Sequence, residues 1–268
     1  MPSKSINPPS INSVPVLKKS AQEWAPLITI ITATFNAAKE LPRTIESIRG
    51  QTYKNIEWIV VDGGSTDETI GLIQQNEDVV DYWVSEPDDG IYDAWNKGVS
   101  KASGEWIAFL GAGDSYKPES IQLYVNAIAA TSRIQELVCS QVNLVNSGGM
   151  ILRTIGAPFD WNKFHKYMTF AHVGALHHRV LFERYGLFDT SYRSSADYEF
   201  FMRTGGDVKS LYLDVVTSDM LIGGVSSSYQ GIIETYVIQK KYGASVAALL
   251  RLWLAYTKRF IRPLFRGY

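Results

Sequence analysis

The sequence predicts an α/β fold built on a mostly parallel central sheet with helices on both faces. Three observations carry that prediction. Short β-branched apolar runs alternate with helical segments through the first half of the chain, the spacing of right-handed βαβ crossovers. The runs are apolar at nearly every position, as strands buried on both faces require. Their ends carry glycines, hydroxyls and acids, the residue types found where open α/β sheets hold ligands.

The elements follow in order. Leu27–Ile31 reads as the first strand, and Glu40–Arg49 as a helix with Leu41, Ile45 and Ile48 on one face. Pro42 is tolerable there only in the first turn, and Gly50 is the expected stop. Ile56–Val61 is the second strand. Ser65 and Glu68 have capping-box spacing, which predicts a helix to about Asn76. Val79–Ser85 is a short strand, Ile91–Ala102 a helix, Trp106–Leu110 a strand and Pro118–Thr131 a helix. Further on, Leu137–Val145 and Met150–Ile155 form a hairpin over Asn146-Ser147-Gly148-Gly149. A helix covers Ala196–Thr204, and two strands, Val208–Val215 and Met220–Val225, follow.

Composition removes several function classes. The chain has 268 residues, a formal charge of −1 and one cysteine, Cys139, so a disulfide framework is excluded. No uncharged apolar run reaches the roughly 18 residues of a membrane span. Residues 1–25 hold four prolines and no continuous apolar stretch, and read as a loose leader without a secretory signal. The charge is uneven. Lys240, Lys241, Arg251, Lys258, Arg259, Arg262 and Arg266 face no acid after Gln239, which leaves a negative body that disfavours nucleic acid. No G-x-x-x-x-G-K-[ST], G-x-G-x-x-G at the first helix, H-E-x-x-H or G-x-S-x-G is present, so phosphate-loop, nicotinamide, zinc-hydrolase and serine-hydrolase readings lose their support.

Three strand ends collect the remaining chemistry: Thr32-Ala33-Thr34-Phe35-Asn36, Asp62-Gly63-Gly64-Ser65-Thr66-Asp67 and Gly111-Ala112-Gly113-Asp114. Together with Gln51-Thr52-Tyr53, the run Asp89-Gly90-Ile91-Tyr92-Asp93-Ala94-Trp95-Asn96-Lys97-Gly98 and Gly104–Leu110, they resemble the family 2 glycosyltransferases. These are nucleotide-diphosphosugar transferases of the GT-A fold. The resemblance is strong over about residues 26–120 and weaker to about 226. It implies a GT-A domain at 26–226, with a nucleotide half at about 26–120 and an acceptor half at about 121–226.

The resemblance also implies site residues. Thr34, Phe35 and Asp62 would hold the nucleoside, Phe35 by stacking. Asp93 and Lys97 would contact the nucleotide, although at i,i+4 they can equally form a solvated ion pair. Many members have an arginine where this chain has Trp95, which reads better as a core aromatic. The family's acidic metal motif is reduced to Asp114, with Gly111 and Gly113 where acids are expected. One carboxylate and two phosphates can still hold Mg²⁺ or Mn²⁺, ions that keep several waters. Asp197 stands at the position of the family's general base, where its alternative is a helix N-cap. His172 falls in the acceptor-side stretch, where its alternative is a packed core histidine.

The implied activity is inverting transfer of a sugar from a nucleotide diphosphosugar, a UDP-sugar in our reading, to a hydroxyl of a glycan or lipid-linked acceptor. Two rivals stay open: a non-catalytic nucleotide-sugar-binding protein, favoured by the missing acids at Gly111, Gly113 and Ala196, and a nucleotidyltransferase on a related sheet. Residues 227–268 are expected to form basic amphipathic helices. In them Val246, Leu249, Trp253, Phe260 and Leu264 share an arc of about 60° opposite the cations. Such a stripe suits an anionic membrane surface, the parent domain or a dimer partner. The expected location is cytoplasmic, peripheral on the inner face of the membrane.

Overall fold

A computed structural model of the chain describes residues 24–131, 134–223 and 229–243. The expected leader up to residue 23 and the basic stretch from residue 244 lie outside these residues, as does the boundary expected near residue 226.

The first half is a run of βα units: β1 (Ile28–Thr34), α1 (Leu41–Arg49), β2 (Ile56–Asp62), α2 (Thr69–Gln74), β3 (Tyr82–Ser85), α3 (Ile91–Lys101) and β4 (Trp106–Phe109). Their strands lie in the order β3-β2-β1-β4 and are all parallel, with Ile28 opposite both Ile56 and Trp106. Successive side chains feed opposite faces, as the period of two dictates. Ile28, Ile30, Trp58 and Val60 join one apolar core with α1, while Ile31, Ile59, Val61 and Phe109 join the other with α3. Burial on both faces explains the unbroken apolar runs. The α3 helix sits close because Gly98 has no side chain; a Cβ there would overlap Ile31.

The second half holds β5 (Ser115–Tyr116), α4 (Ser120–Ala129), β6 (Leu137–Val145), β7 (Ile151–Ile155), α5 (Trp161–Phe164) and a 3-10 turn at His172–Gly174. After these come β8 (Ala175–His178), α6 (Val180–Tyr185), α7 (Ala196–Arg203), β9 (Ser210–Leu221) and α8 (Tyr229–Lys241). The sheet continues as β4-β8-β6-β9-β5, with β7 paired to β6. β8 runs antiparallel between β4 and β6, while β9 is parallel to β6. The fold is therefore an α/β sheet, largely parallel, flanked by helices and closed by C-terminal helices.

Two local expectations are corrected. The Ser65–Glu68 capping box does not form. Ser65 turns back to Asp62, and Asp67 takes over the helix start by accepting the Thr69 N–H at 3.1 Å. The strand expected at 208–215 and the start of the one expected at 220–225 are one strand, β9, and residues 224–225 of the latter lie outside the described residues. Register shifts against β6 near Gln141 absorb its irregular pattern.

The helix α8 is docked on the body. Its buried Glu234 accepts the backbone N–H groups of Arg193 and Ser194, both at 2.8 Å. Gln239 donates to the Lys166 carbonyl, and Lys241 with Arg203 flanks Glu199, which is 1% exposed. Of the segment expected to face a membrane, residues 239–243 are thus anchored to the domain. No helix among the described residues is long and apolar enough to cross a membrane.

Candidate active site

The carboxyl ends of β2, β1 and β4 lie side by side, and the loops leaving them converge with the starts of α3 and α7. β1 ends by turning Phe35 outward, 64% exposed. The turn is held by Asn36, which sits at φ 47°, where an L-residue is uncommon. Its backbone N–H donates to Ser65 Oγ, and its side-chain oxygen accepts the Thr66 N–H at 2.9 Å. A rigid, exposed aromatic at a strand end is suited to a flat ring.

Asp62 behaves differently from the expectation that it touches the nucleoside. It is fully buried. Its two oxygens accept from the Thr34 hydroxyl, the Gly64 and Ser65 N–H groups, and the Ser65 and Ser85 hydroxyls. Burial alone would raise its pKa, but these donors outweigh burial and hold it below the ordinary value. A carboxylate with five donors has no lone pair left for a ligand. Asp62 therefore ties β1, β2 and β3 together beneath the site, and the buried Thr34 hydroxyl is part of that tie.

The acid that stands over this strand end is Asp88, which sequence reasoning missed. A side chain on Gly63 would place its Cβ 2.7 Å from Asp88 Oδ2, so the glycine makes room for a carboxylate arriving from the β3–α3 loop. Asp88 Oδ1 accepts the Gly90 N–H at 2.8 Å, while Gly90 itself adopts φ 108° to open α3. The Gly63 signal was visible in the sequence, but the neighbour that required it was not.

Asp93 and Lys97 form the i,i+4 ion pair at 3.4 Å, and Lys97 also pairs with Glu86 at 2.9 Å. Both charges are met within the protein, the ion-pair alternative of the sequence reading. Trp95 is a core residue, packed on Tyr92, Phe109, His172 and Phe188.

His172 is also enclosed, stacked on Phe109 and joined to His177 Nε2 at 3.1 Å. The Ile107 carbonyl accepts from His177 Nδ1, so His172 Nε2 carries the proton in the pair and its Nδ1 keeps a lone pair. Burial pushes both rings down, His177 to about 4, so both are neutral at pH 7. The ring packs in the aromatic core beneath the site, the packed-histidine alternative of the sequence reading.

Asp114 closes the loop after β4. Its Oδ1 accepts the Leu221 N–H at 2.8 Å, and Thr44 braces the loop through the Asp114 carbonyl and the Gly113 N–H. Burial lifts its pKa to about 7, against opposition from backbone N–H groups and the nearby Arg43. Asp197 lies on the first turn of α7, one residue inside the start, so it is not the N-cap; that is Ser195, whose hydroxyl donates to the Gly231 carbonyl. Burial raises the Asp197 pKa, partly offset by hydrogen bonds from Tyr92 and the Tyr198 N–H. Tyr92 joins Asp197 to the first turn of α3, and so to the ends of β2 and β3.

No group of three or more His, Cys, Asp or Glu able to hold a metal ion exists among the described residues. Asp114 nonetheless fits a divalent ion whose remaining ligands are substrate phosphates and water. Its half-buried carboxylate is desolvated at a cost that a cation would relieve, and it sits after a strand end against the small residue Gly111.

The strand order, with a parallel β3-β2-β1-β4 half flanked by helices, is the architecture of a GT-A fold. Residues 29–186, more than half of the chain, match Glycosyl transferase family 2, and the protein belongs to that family. It is 32% identical over 210 residues to an uncharacterized glycosyltransferase of Mycobacterium tuberculosis, covering 76% of this chain and 78% of the relative. It is also 32% identical over 216 residues to a PGL/p-HBAD biosynthesis glycosyltransferase of Mycobacterium bovis, covering 76% of this chain and 80% of that one. The fold resembles S. aureus TarS 1-349 in complex with UDP-GlcNAc, with a TM-score of 0.66, 16% identity and coverage of 80% and 65%. It also resembles a Pyrobaculum calidifontis mannosyltransferase in complex with GDP-Man and Mn²⁺, with a TM-score of 0.61, 19% identity and coverage of 88% and 72%. Against the longer S. aureus TarS chain, this protein spans 38% of the length. The chain is a nucleotide-sugar-dependent glycosyltransferase.

Proposed function

We propose that the protein transfers a sugar from a UDP-sugar to a hydroxyl of a glycan or lipid-linked acceptor, with inversion at the anomeric carbon. The observation that carries this reading is Asp197: a half-buried acid at the start of α7 whose pKa is raised by desolvation and which accepts the Tyr92 hydroxyl, a setting suited to a general base. Through Tyr92 it is joined to the nucleotide-side strand ends. In a single displacement the acceptor oxygen attacks the anomeric carbon as Asp197 takes its proton. The bond to the diphosphate breaks with its electron pair leaving on the phosphate oxygen. Phe35 offers a stacking face for the base, Asp88 stands over Gly63 at the end of β2 as an acceptor, and Asp62 keeps the strand ends in register. Asp114 would hold a divalent ion, which supplies charge neutralisation for the departing diphosphate. The lipid-linked acceptor is supported by the naming of the M. bovis relative for PGL biosynthesis, and the UDP donor by the UDP-GlcNAc complex of the TarS fold.

Incubation with a panel of nucleotide sugars, read by mass spectrometry, tests the reading. Transfer or slow donor hydrolysis is expected with a UDP-sugar. Asp197→Asn should lower kcat by about 10²–10⁴-fold with donor binding little changed. Pyrophosphate release instead would mark a nucleotidyltransferase, and binding without turnover a non-catalytic module. Normal turnover in Asp197→Asn would remove the base assignment.

A further inference from the structure

The two oxygens of Asp197 are not equivalent. Oδ1 accepts the Tyr92 phenol at 2.9 Å and the Tyr198 N–H at 2.9 Å. Among the described residues no other side chain donates to the carboxylate, whose remaining hydrogen bond comes from its own backbone N–H. The two donors come from different places: Tyr198 from the helix that carries the acid, Tyr92 from α3, 105 positions away in the chain.

Tyr92 cannot easily move. It is 5% exposed and is packed edge-on against Trp95 at 5.3 Å and against Phe188 at 5.6 Å. Its helix begins at Gly90, whose positive φ aims the first turn of α3 toward α7. Burial and the neighbouring Asp197 charge push the phenol pKa well above its ordinary value. The hydroxyl therefore stays protonated and can only donate to an ionised Asp197.

We propose that Tyr92 is the positioning residue of the general base: its phenol occupies Oδ1 and leaves Oδ2 as the oxygen that receives the acceptor proton. This inference rests on Asp197 being the base. The proton passes from the acceptor hydroxyl to Oδ2, the acceptor oxygen bonds to the anomeric carbon, and the electron pair of the breaking bond leaves with the nucleoside diphosphate. A carboxylate without a fixed donor could rotate between two equivalent proton acceptors. Pinned by a neutral donor, it offers one lone pair in one direction, the orientation effect that raises effective concentration. The phenol also favours the ionised form, opposing part of the rise that desolvation causes.

The surrounding charges act in a defined way. On α8, Glu234 raises the Asp197 pKa, though its own oxygens are engaged by the Arg193 and Ser194 N–H groups. On α7, Glu199 is paired with Arg203 and Lys241. Arg193, in the preceding loop, lies 3.9 Å from Asp89. Tyr92 is the titratable group of α3 that touches the acid.

The test is a pH profile of kcat/KM in the full-length chain. Tyr92→Phe keeps the ring and removes the donor. Its kcat should fall by about 10–100-fold, the scale of a hydrogen bond to a charged group. The acid limb should move up by about one pH unit, because the ionised carboxylate has lost a partner. KM for the donor should change less than about twofold. Incorporation of 3,5-difluorotyrosine at position 92, a stronger donor of nearly the same shape, should move the acid limb down and keeps the test open if Tyr92→Phe folds poorly. A lower kcat with an unmoved acid limb in both variants would mean packing alone, and would overturn the proposal while Asp197→Asn stays inactive. If Asp197→Asn is fully active, the base reading fails first and the Tyr92 role fails with it.

Discussion

Replacing Asp114 by asparagine should stabilise the protein at neutral pH while weakening its use of a divalent ion. Burial lifts this carboxyl from 3.8 to about 7. The folded-state value lies above the unfolded one. The group's favourable contribution is therefore complete below about pH 4 and is lost as pH rises through about 7. Fully expressed, a gap of that size corresponds to about 4 kcal/mol at pH 8, since one unit is about 1.4 kcal/mol. Water at the open side of the loop reduces the figure, and about 2 kcal/mol is a reasonable expectation. For a chain of this length each kcal/mol moves Tm by about 2–4 °C, so Asp114→Asn should melt about 4–8 °C above the parent at pH 8. The two proteins should converge near pH 4, where the parent carboxyl is protonated. Thermal unfolding across pH 4–8 measures this directly. A Tm difference that does not change with pH would show that Asp114 is hydrated and carries an ordinary pKa, and the argument for a cation at this acid would lose its physical basis. With diphosphate and Mn²⁺ added, the parent should gain stability and the variant should not.

Two other outcomes follow from the same geometry. Phe35→Ala removes an exposed ring, so stability should hardly change while calorimetric UDP affinity drops by about 1–3 kcal/mol; unchanged affinity would place the base elsewhere. Truncation after Gly243 keeps Gln239, Lys241 and Tyr242 on their partners, so the domain should stay folded and lose salt-sensitive co-sedimentation with anionic vesicles; failure of the full-length chain to bind such vesicles at low salt would remove the membrane reading.

Much of this protein was legible before any tertiary contact was known. The strands of the nucleotide half are apolar at nearly every position, and burial on both faces leaves few other places for such runs to go. β1, β2 and β4 accordingly appear within a few residues of their expected bounds, and the Asn146–Gly149 turn closes the β6–β7 hairpin as its composition demands. The family was readable because local motifs carry it in order. What the chain could not reveal is which side chains face each other. Asp62 reads as a ligand-binding acid until its five donors are counted, and those donors come from three strand ends. Asp93 and Lys97 read equally as nucleotide contacts or as an ion pair, and only packing shows Glu86 as a further partner of Lys97. Asp88 and Tyr92 carried no signal of their own: one fills the space that Gly63 leaves empty, and the other meets Asp197 across 105 positions. Periodicity reports burial, which is a property of one element at a time. Hydrogen-bond partnership is a property of pairs brought together by packing, and only the tertiary structure decides it.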